Sequence, residues 1–120
     1  MQGRVENMLL NRSLFFLLFF FLLTGCTLKP GGEAFFSQLD KVETALEQQD
    51  WKEVAQRTEE LQQVYQKEKW KIQLLGDEGE YEQLLESINK MIAITKEKDS
   101  SNVRLELAAA RTLVENIYSL

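Results

Sequence analysis

Histidine is missing from the 120 residues, cysteine and proline occur once each, and glycine occurs six times. Without histidine, the chain lacks the side chain that most often serves as general base or metal ligand near neutral pH. The lone cysteine, Cys26, leaves no internal disulfide to be made. The lone proline is Pro30, so the chain beyond it is free of the strongest helix breaker, and only Gly76 and Gly79 follow Gly32 as glycines. Basic residues are in the minority, 14 against 19 acidic, for a formal net charge of −5. The excess widens beyond Cys26, because Arg4 and Arg12 precede it against only Glu6. Such a charge repels nucleic acid, so no nucleic-acid partner is expected. The length allows one small domain.

What is present is sharply divided. Residues 14–23 read LFFLLFFFLL, an unbroken apolar run of ten. A membrane-spanning helix needs about 20 such residues. The run is therefore short for a span and right for the core of a signal peptide, with Arg12 as its positive flank. Met8 offers a second start for a more compact leader. Directly after the run stand Leu23, Thr24, Gly25 and Cys26. They resemble the lipobox of bacterial lipoproteins. The resemblance implies a diacylglyceryl group on the Cys26 thiol and cleavage between Gly25 and Cys26. Small residues before the cut let a protease approach the backbone, and the thiolate is the nucleophile that is alkylated. Two acyl chains anchor stably where one is marginal. The alternative is an uncleaved signal anchor. Residues 1–25 are thus expected to be a lipoprotein signal peptide, and 26–32 a lipidated cysteine with a short tether, TLKPGG after the cysteine. The protein would sit on the extracytoplasmic face of the cell membrane, lipid-anchored and palmitate-bearing, with no other cofactor.

Residues 33–120 have helical composition, rich in Glu, Gln, Lys, Leu and Ala. Phe35, Leu39, Val42 and Leu46 fall at steps of four and three, as do Val54, Thr58, Leu61 and Tyr65, with Ile72 and Leu75 in phase. Tyr81, Leu84, Ile88 and Met91 repeat the pattern, and Val103, Leu107, Ala110, Val114 and Ile117 repeat it again. Each set lies on one helix face. Asp50 with Glu53 and Asp77 with Glu80 have capping-box spacing, Asp99 or Ser100 can cap a last helix, and Gly76 is placed to end the second helix in a left-handed conformation. The reading predicts helices near 33–48, 51–75, 77–97 and 100–119. Short connections force neighbours antiparallel. The fold class is therefore all-α: an antiparallel up-down four-helix bundle, or two stacked helical hairpins, after an N-terminal signal helix. Asp50 and Val54 stand 49 residues before Asp99 and Val103, a faint echo between the two hairpins.

This region resembles an uncharacterised family of small helical bacterial proteins, many with membrane-targeting N-termini. The resemblance is carried by Asp50-Trp51, Tyr65, Lys69-Trp70-Lys71 and the run Asp77-Glu78-Gly79-Glu80-Tyr81, and covers roughly 33–120. A histidine often follows the aspartate in that pattern, where this chain has Glu78. The resemblance implies the helical fold and association with a multi-pass membrane protein, and no defined activity.

Few residues invite chemistry. Asp77, Glu78, Glu80 and Glu82 lack the alternating spacing of a calcium loop, and negative charge suits a helix start, so no metal is expected there. Glu59 and Glu60 fit exposed helix positions. With no histidine for a triad, no glycine-rich phosphate loop and the thiol given to lipid, the protein is not expected to be an enzyme. Lys67, Lys69 and Lys71 surround Trp70 near a helix C-terminus, either as a solvated face or as a membrane-resting cluster. Trp51, at the first position of a helix, is placed to close over the bundle end. Trp70 lies about 140° around the helix from Tyr65, off the apolar stripe. It either packs on a neighbouring helix or marks a partner surface, where tryptophan is over-represented. Trp70 and Trp51 are accordingly the candidate partner-binding residues. The expected function is a non-enzymatic interaction module binding another envelope or membrane protein. The competing readings are a ligand-binding or sensing lipoprotein with a pocket between helices, and a plain spacer.

Overall fold

A computed structural model describes residues 12–13 and 31–119. The apolar leader core, the lipobox Leu23–Cys26 and the cleavage position lie outside the described residues. The chain divides at Pro30, and the unit that begins at Gly31 carries its own core.

Four helices build that unit: α1 (Glu33–Glu47), α2 (Trp51–Leu75), α3 (Glu78–Lys96) and α4 (Ser100–Ile117). No strand occurs among the described residues. Each helix packs on its neighbours in the chain, and α1 closes the ring against α4. The two architectures considered from sequence are thus one object, an antiparallel four-helix bundle made of two hairpins. Its core is the expected stripe, with Leu75 and Tyr81 only half-buried at its edge. Phe35, Leu39, Val42, Leu46, Val54, Leu61, Tyr65, Ile72, Leu84, Ile88, Met91, Val103, Leu107, Ala110, Val114 and Ile117 are all buried. Each large aliphatic side chain removed from water in this way contributes roughly 1.5–3 kcal/mol. Thr58 occupies the stripe of α2 because its hydroxyl is satisfied within the helix, donating to the Ala55 carbonyl at 3.0 Å.

The helix starts follow the capping residues. Asp77 and Glu80 form a complete capping box, with the Glu80 N–H donating to Asp77 Oδ1 at 2.8 Å and the Asp77 N–H to Glu80 Oε1 at 3.1 Å. Asp50 with Glu53 forms only half of one. Asp50 Oδ1 accepts from the Glu53 N–H at 3.2 Å, but the Glu53 carboxylate turns to Arg57, 2.7 Å away. The Asp50 N–H has a partner already, the Ala45 carbonyl at 3.2 Å. At α4 the cap is Asp99, which accepts from the Asn102 N–H at 3.2 Å.

The helix stops differ from expectation. Gly76 does not adopt the left-handed conformation; it is extended, with φ −104° and ψ 166°. The link from α2 to α3 is only Gly76 and Asp77, and both are extended, so the chain leaves one helix and caps the next without a reversal residue. Glycine serves close approach there instead: a Cβ on Gly76 would lie 3.0 Å from Ile117 Cγ1. The left-handed residues are Gln49 (φ 54°) and Lys98 (φ 56°).

Those two turns reveal the internal symmetry. Gln48-Gln49-Asp50 and Glu97-Lys98-Asp99 run through the same sequence of backbone conformations, 49 residues apart. The agreement extends along the helices. Every buried position from Phe35 to Tyr65 has a counterpart 49 residues later that is buried too, except that Ala45 maps to half-buried Ile94. The two hairpins share one pattern of turn conformation and buried positions. The halves differ in length: Ile117, the last residue of α4, corresponds to Glu68, and α2 runs on to Leu75.

Candidate functional site

The largest exposed apolar side chains of the described residues are Trp70, Leu74 and Leu105, at 61%, 77% and 66% exposure. Leu105 stands alone on α4. Trp70 and Leu74 are four apart in the last two turns of α2, and so lie on one face. Ile72, buried in the core, fixes the phase: two residues is about 200° of rotation, which turns both Trp70 and Leu74 to the side opposite the bundle. The Trp70 ring is exposed rather than packed on a neighbouring helix. Lys67, Lys69 and Lys71 are exposed around it. Lys71 Nζ sits 5.4 Å from the Trp70 ring centroid and 3.4 Å from Glu68 Oε2, so its charge is shared between a π face and a carboxylate. Trp51 is half-buried and packs against the core at the start of α2. The structure therefore keeps the two tryptophans at opposite ends of one helix.

The acidic run forms no cluster. Asp77 and Glu80 bond to each other's backbone, while Glu78 and Glu82 are exposed on α3. No grouping of His, Cys, Asp or Glu suited to a metal occurs among the described residues.

Two of the open grooves among the described residues run along matching faces of the bundle. One, of about 630 Å³, follows α1 and is lined by Phe36, Asp40, Lys41, Thr44 and Arg57 among others. A second, of about 480 Å³, follows α3 past Leu85, Asn89, Lys90 and Ala93. Leu85, Asn89, Lys90 and Ala93 are the counterparts of Phe36, Asp40, Lys41 and Thr44, 49 residues on. In the first, Arg57 lies between Glu53 and Glu60, at 2.7 and 2.9 Å. The hydrogen bond to Glu60 and then that to Glu53 raise the Arg57 pKa, and the bonds from Arg57 and then Gln38 hold the Glu60 carboxyl below its ordinary range. Arg111 bridges α4 to α1 through Asp40 and Glu43, at 2.9 and 3.2 Å.

The buried polar groups are structural. The Tyr65 hydroxyl donates to the Tyr81 carbonyl at 3.1 Å, and burial raises its pKa. Among the described residues no buried side-chain N or O lacks a partner.

The end of the bundle at which the chain enters holds a contact that sequence reasoning missed. Gly31 and Gly32, read as the last of the tether, have φ of +104° and +83° and lie against the Tyr118 ring. A Cβ on Gly31 would come 2.9 Å from Tyr118 Cδ1. Tyr118 in turn packs on Phe35, ring centroids 6.3 Å apart. The available signal was the Gly-Gly pair directly before a helix. Leu74 was also missed, though its spacing from Trp70 was visible.

Residues 28–120 match DUF4363, a domain of unknown function. The chain belongs to that family. The match covers the whole bundle, including the Gly31–Gly32 entry and both hairpins of the DUF4363 domain. No curated protein and no solved structure matches the chain. Among the described residues, no helix is long and apolar enough to cross a membrane.

Proposed function

We propose that the protein is a lipid-anchored, non-enzymatic interaction module of the cell envelope. Cys26 carries the diacylglyceryl anchor, and the DUF4363 domain stands on the extracytoplasmic face, where it contacts an envelope or membrane protein. The anchoring half rests on the order of elements in the sequence: a ten-residue apolar run, then Leu23-Thr24-Gly25-Cys26, then a six-residue tether. The interaction half rests on one observation, large apolar side chains held in solvent, Trp70 and Leu74 on α2 and Leu105 on α4, on a bundle whose described buried polar groups are satisfied. Large apolar side chains held in solvent on a rigid helix mark contact surfaces.

Metabolic labelling with a fatty acid tests the anchor. Label should appear on the wild type and be absent from Cys26→Ser, which should accumulate as unprocessed precursor, because a hydroxyl does not replace the thiolate in alkylation. Equal labelling of both would defeat the reading. Crosslinking in the native membrane, followed by pull-down, tests for a protein partner.

A second reading, ligand binding, is favoured by the groove along α1, whose volume lies in the range of small-molecule sites. That groove is open to solvent and lined by charged pairs, and the interaction reading takes precedence.

A further inference from the structure

The surface bearing Trp70 and Leu74 lies at the end of the bundle where the chain comes in. Up-down connectivity puts the start of α1, the end of α2, the start of α3 and the end of α4 at one pole. The contacts agree: Gly31 meets Tyr118 beyond the end of α4, and Gly76, beyond the end of α2, abuts Ile117. Five residue steps separate Gly31 from Cys26. A fully extended chain covers at most about 3.3–3.6 Å per residue, so Gly31, at this pole, can lie no farther than roughly 18 Å from Cys26.

The same pole carries the longest departure from the internal repeat. Glu68 is the counterpart of Ile117, so Lys69–Leu75 has no equivalent in α4. Seven residues of helix extend about 10 Å. Trp70, Leu74, Lys69 and Lys71 all belong to this extension, and Lys67 lies just before it. The bundle core is closed without these outward side chains: Ile72 alone faces inward with full burial.

We propose that this extension of α2 rests on the bilayer itself, with Trp70 and Leu74 seated in the interfacial region of the membrane that holds Cys26. The inference rests on the anchoring reading above and names the partner of this surface. Tryptophan favours the headgroup level, where its ring is half in apolar surroundings and its N–H stays wet. Leucine adds apolar area, and the lysines can lay their stems on the surface with the ammonium groups in water. Net charge is not the driving force, because Glu68, Asp77, Glu78 and Glu80 occupy the same pole. The contact is therefore apolar, works on zwitterionic lipid and is insensitive to salt. The bundle is thereby tilted with the outer side of α2 toward the lipid, and the opposite side is left for a protein partner.

The test uses the chain from Cys26 to Leu120, which contains the whole self-contained unit. Its single thiol is coupled to a maleimide lipid in phosphatidylcholine vesicles, in a Trp51→Phe background that leaves Trp70 as the only tryptophan. On coupling, Trp70 emission should shift to the blue and be quenched at least twofold by lipids brominated near the headgroup end of the acyl chain, at low and high salt alike. Adding Leu74→Asp should abolish the quenching and leave the helical signal and melting temperature unchanged. Trp70 emission identical to that of the uncoupled chain, with no quenching, overturns the proposal. So does a shift that needs vesicles containing native membrane proteins, which would seat a protein on the surface instead. Because the coupling is chemical, fatty-acid labelling in cells judges the anchor separately: label without quenching sinks the lipid contact alone, and quenching without label sinks the anchor alone.

Discussion

Gln38 and Ser87 occupy the same place in the two halves of the bundle. Gln38 Nε2 donates to the Arg57 carbonyl at 3.0 Å, and Ser87 Oγ donates toward the Glu106 carbonyl, also at 3.0 Å, each reaching 19 residues ahead into the second helix of its hairpin. Both side chains are buried, so each bond is partly shielded from water. Each is also supported by a carboxylate: Glu60 Oε2 lies 3.0 Å from Gln38 Nε2, and Glu106 Oε2 lies 2.8 Å from Ser87 Oγ.

Ser87→Ala and Gln38→Ala should therefore each destabilise the bundle. The expected loss is about 1–2 kcal/mol, the net worth of a buried bond near a charged group plus any desolvated acceptor left behind. The two pairs belong to different hairpins and share no partner, so the double variant should lose the sum within about 0.5 kcal/mol. Urea denaturation of both singles and the double measures this.

Leu61 is fully buried in α2 and Gln63, two residues on, is exposed. Leu61→Ala should cost roughly 2–5 kcal/mol through lost burial and a cavity. Gln63→Ala should stay within about 0.5 kcal/mol of wild type. Trp70→Ala should be as harmless to the melting temperature as Gln63→Ala, because its ring faces solvent.

The turns give changes of opposite sign. Gln49 and Lys98 hold left-handed backbone that a Cβ disfavours by about 1–2 kcal/mol, partly offset by the extra unfolded-state freedom of glycine. Gln49→Gly and Lys98→Gly should each stabilise by about 0.5–1 kcal/mol. Gly31→Ala should destabilise, because it meets both a positive φ and the Tyr118 ring. Thermal melts of the three variants decide the signs.

The Glu60 carboxyl, held low by Arg57 and then Gln38, links stability to pH. A carboxyl with a depressed folded-state pKa stabilises the fold above its unfolded value and loses that contribution as pH falls through the folded one. Glu60→Gln should thus be the less stable protein at pH 7. The gap should close as pH drops below the ordinary glutamate value of about 4.3. Because the pair is partly solvent-exposed, added salt should shrink the gap as well. Chemical melts at several pH values, with and without salt, follow it.

The sequence by itself determined that the unit is four amphipathic helices with the stripe residues inside. Helix periodicity and aspartate caps are local properties, readable within a few turns of chain, and so the helix limits differ from expectation by no more than two residues. The phase that buried Tyr65 and Ile72 also placed Trp70 off the core. Only the tertiary structure decided the rest, because it depends on segments remote in the chain. The stop at Gly76 is extended rather than left-handed, and the glycine there leaves room for Ile117 of α4. Glu53 left its capping box for Arg57. The hairpin repeat was nearly hidden, because Thr58, Leu61 and Tyr65 in one half correspond to Leu107, Ala110 and Val114 in the other, residues alike in burial and unlike in identity. Burial is set by position in the bundle, while side-chain volume is set by what the opposing helices leave to fill. The pole shared by Gly31, Tyr118 and the extension of α2 likewise exists only once the helices have packed, since those residues are scattered from one end of the unit to the other.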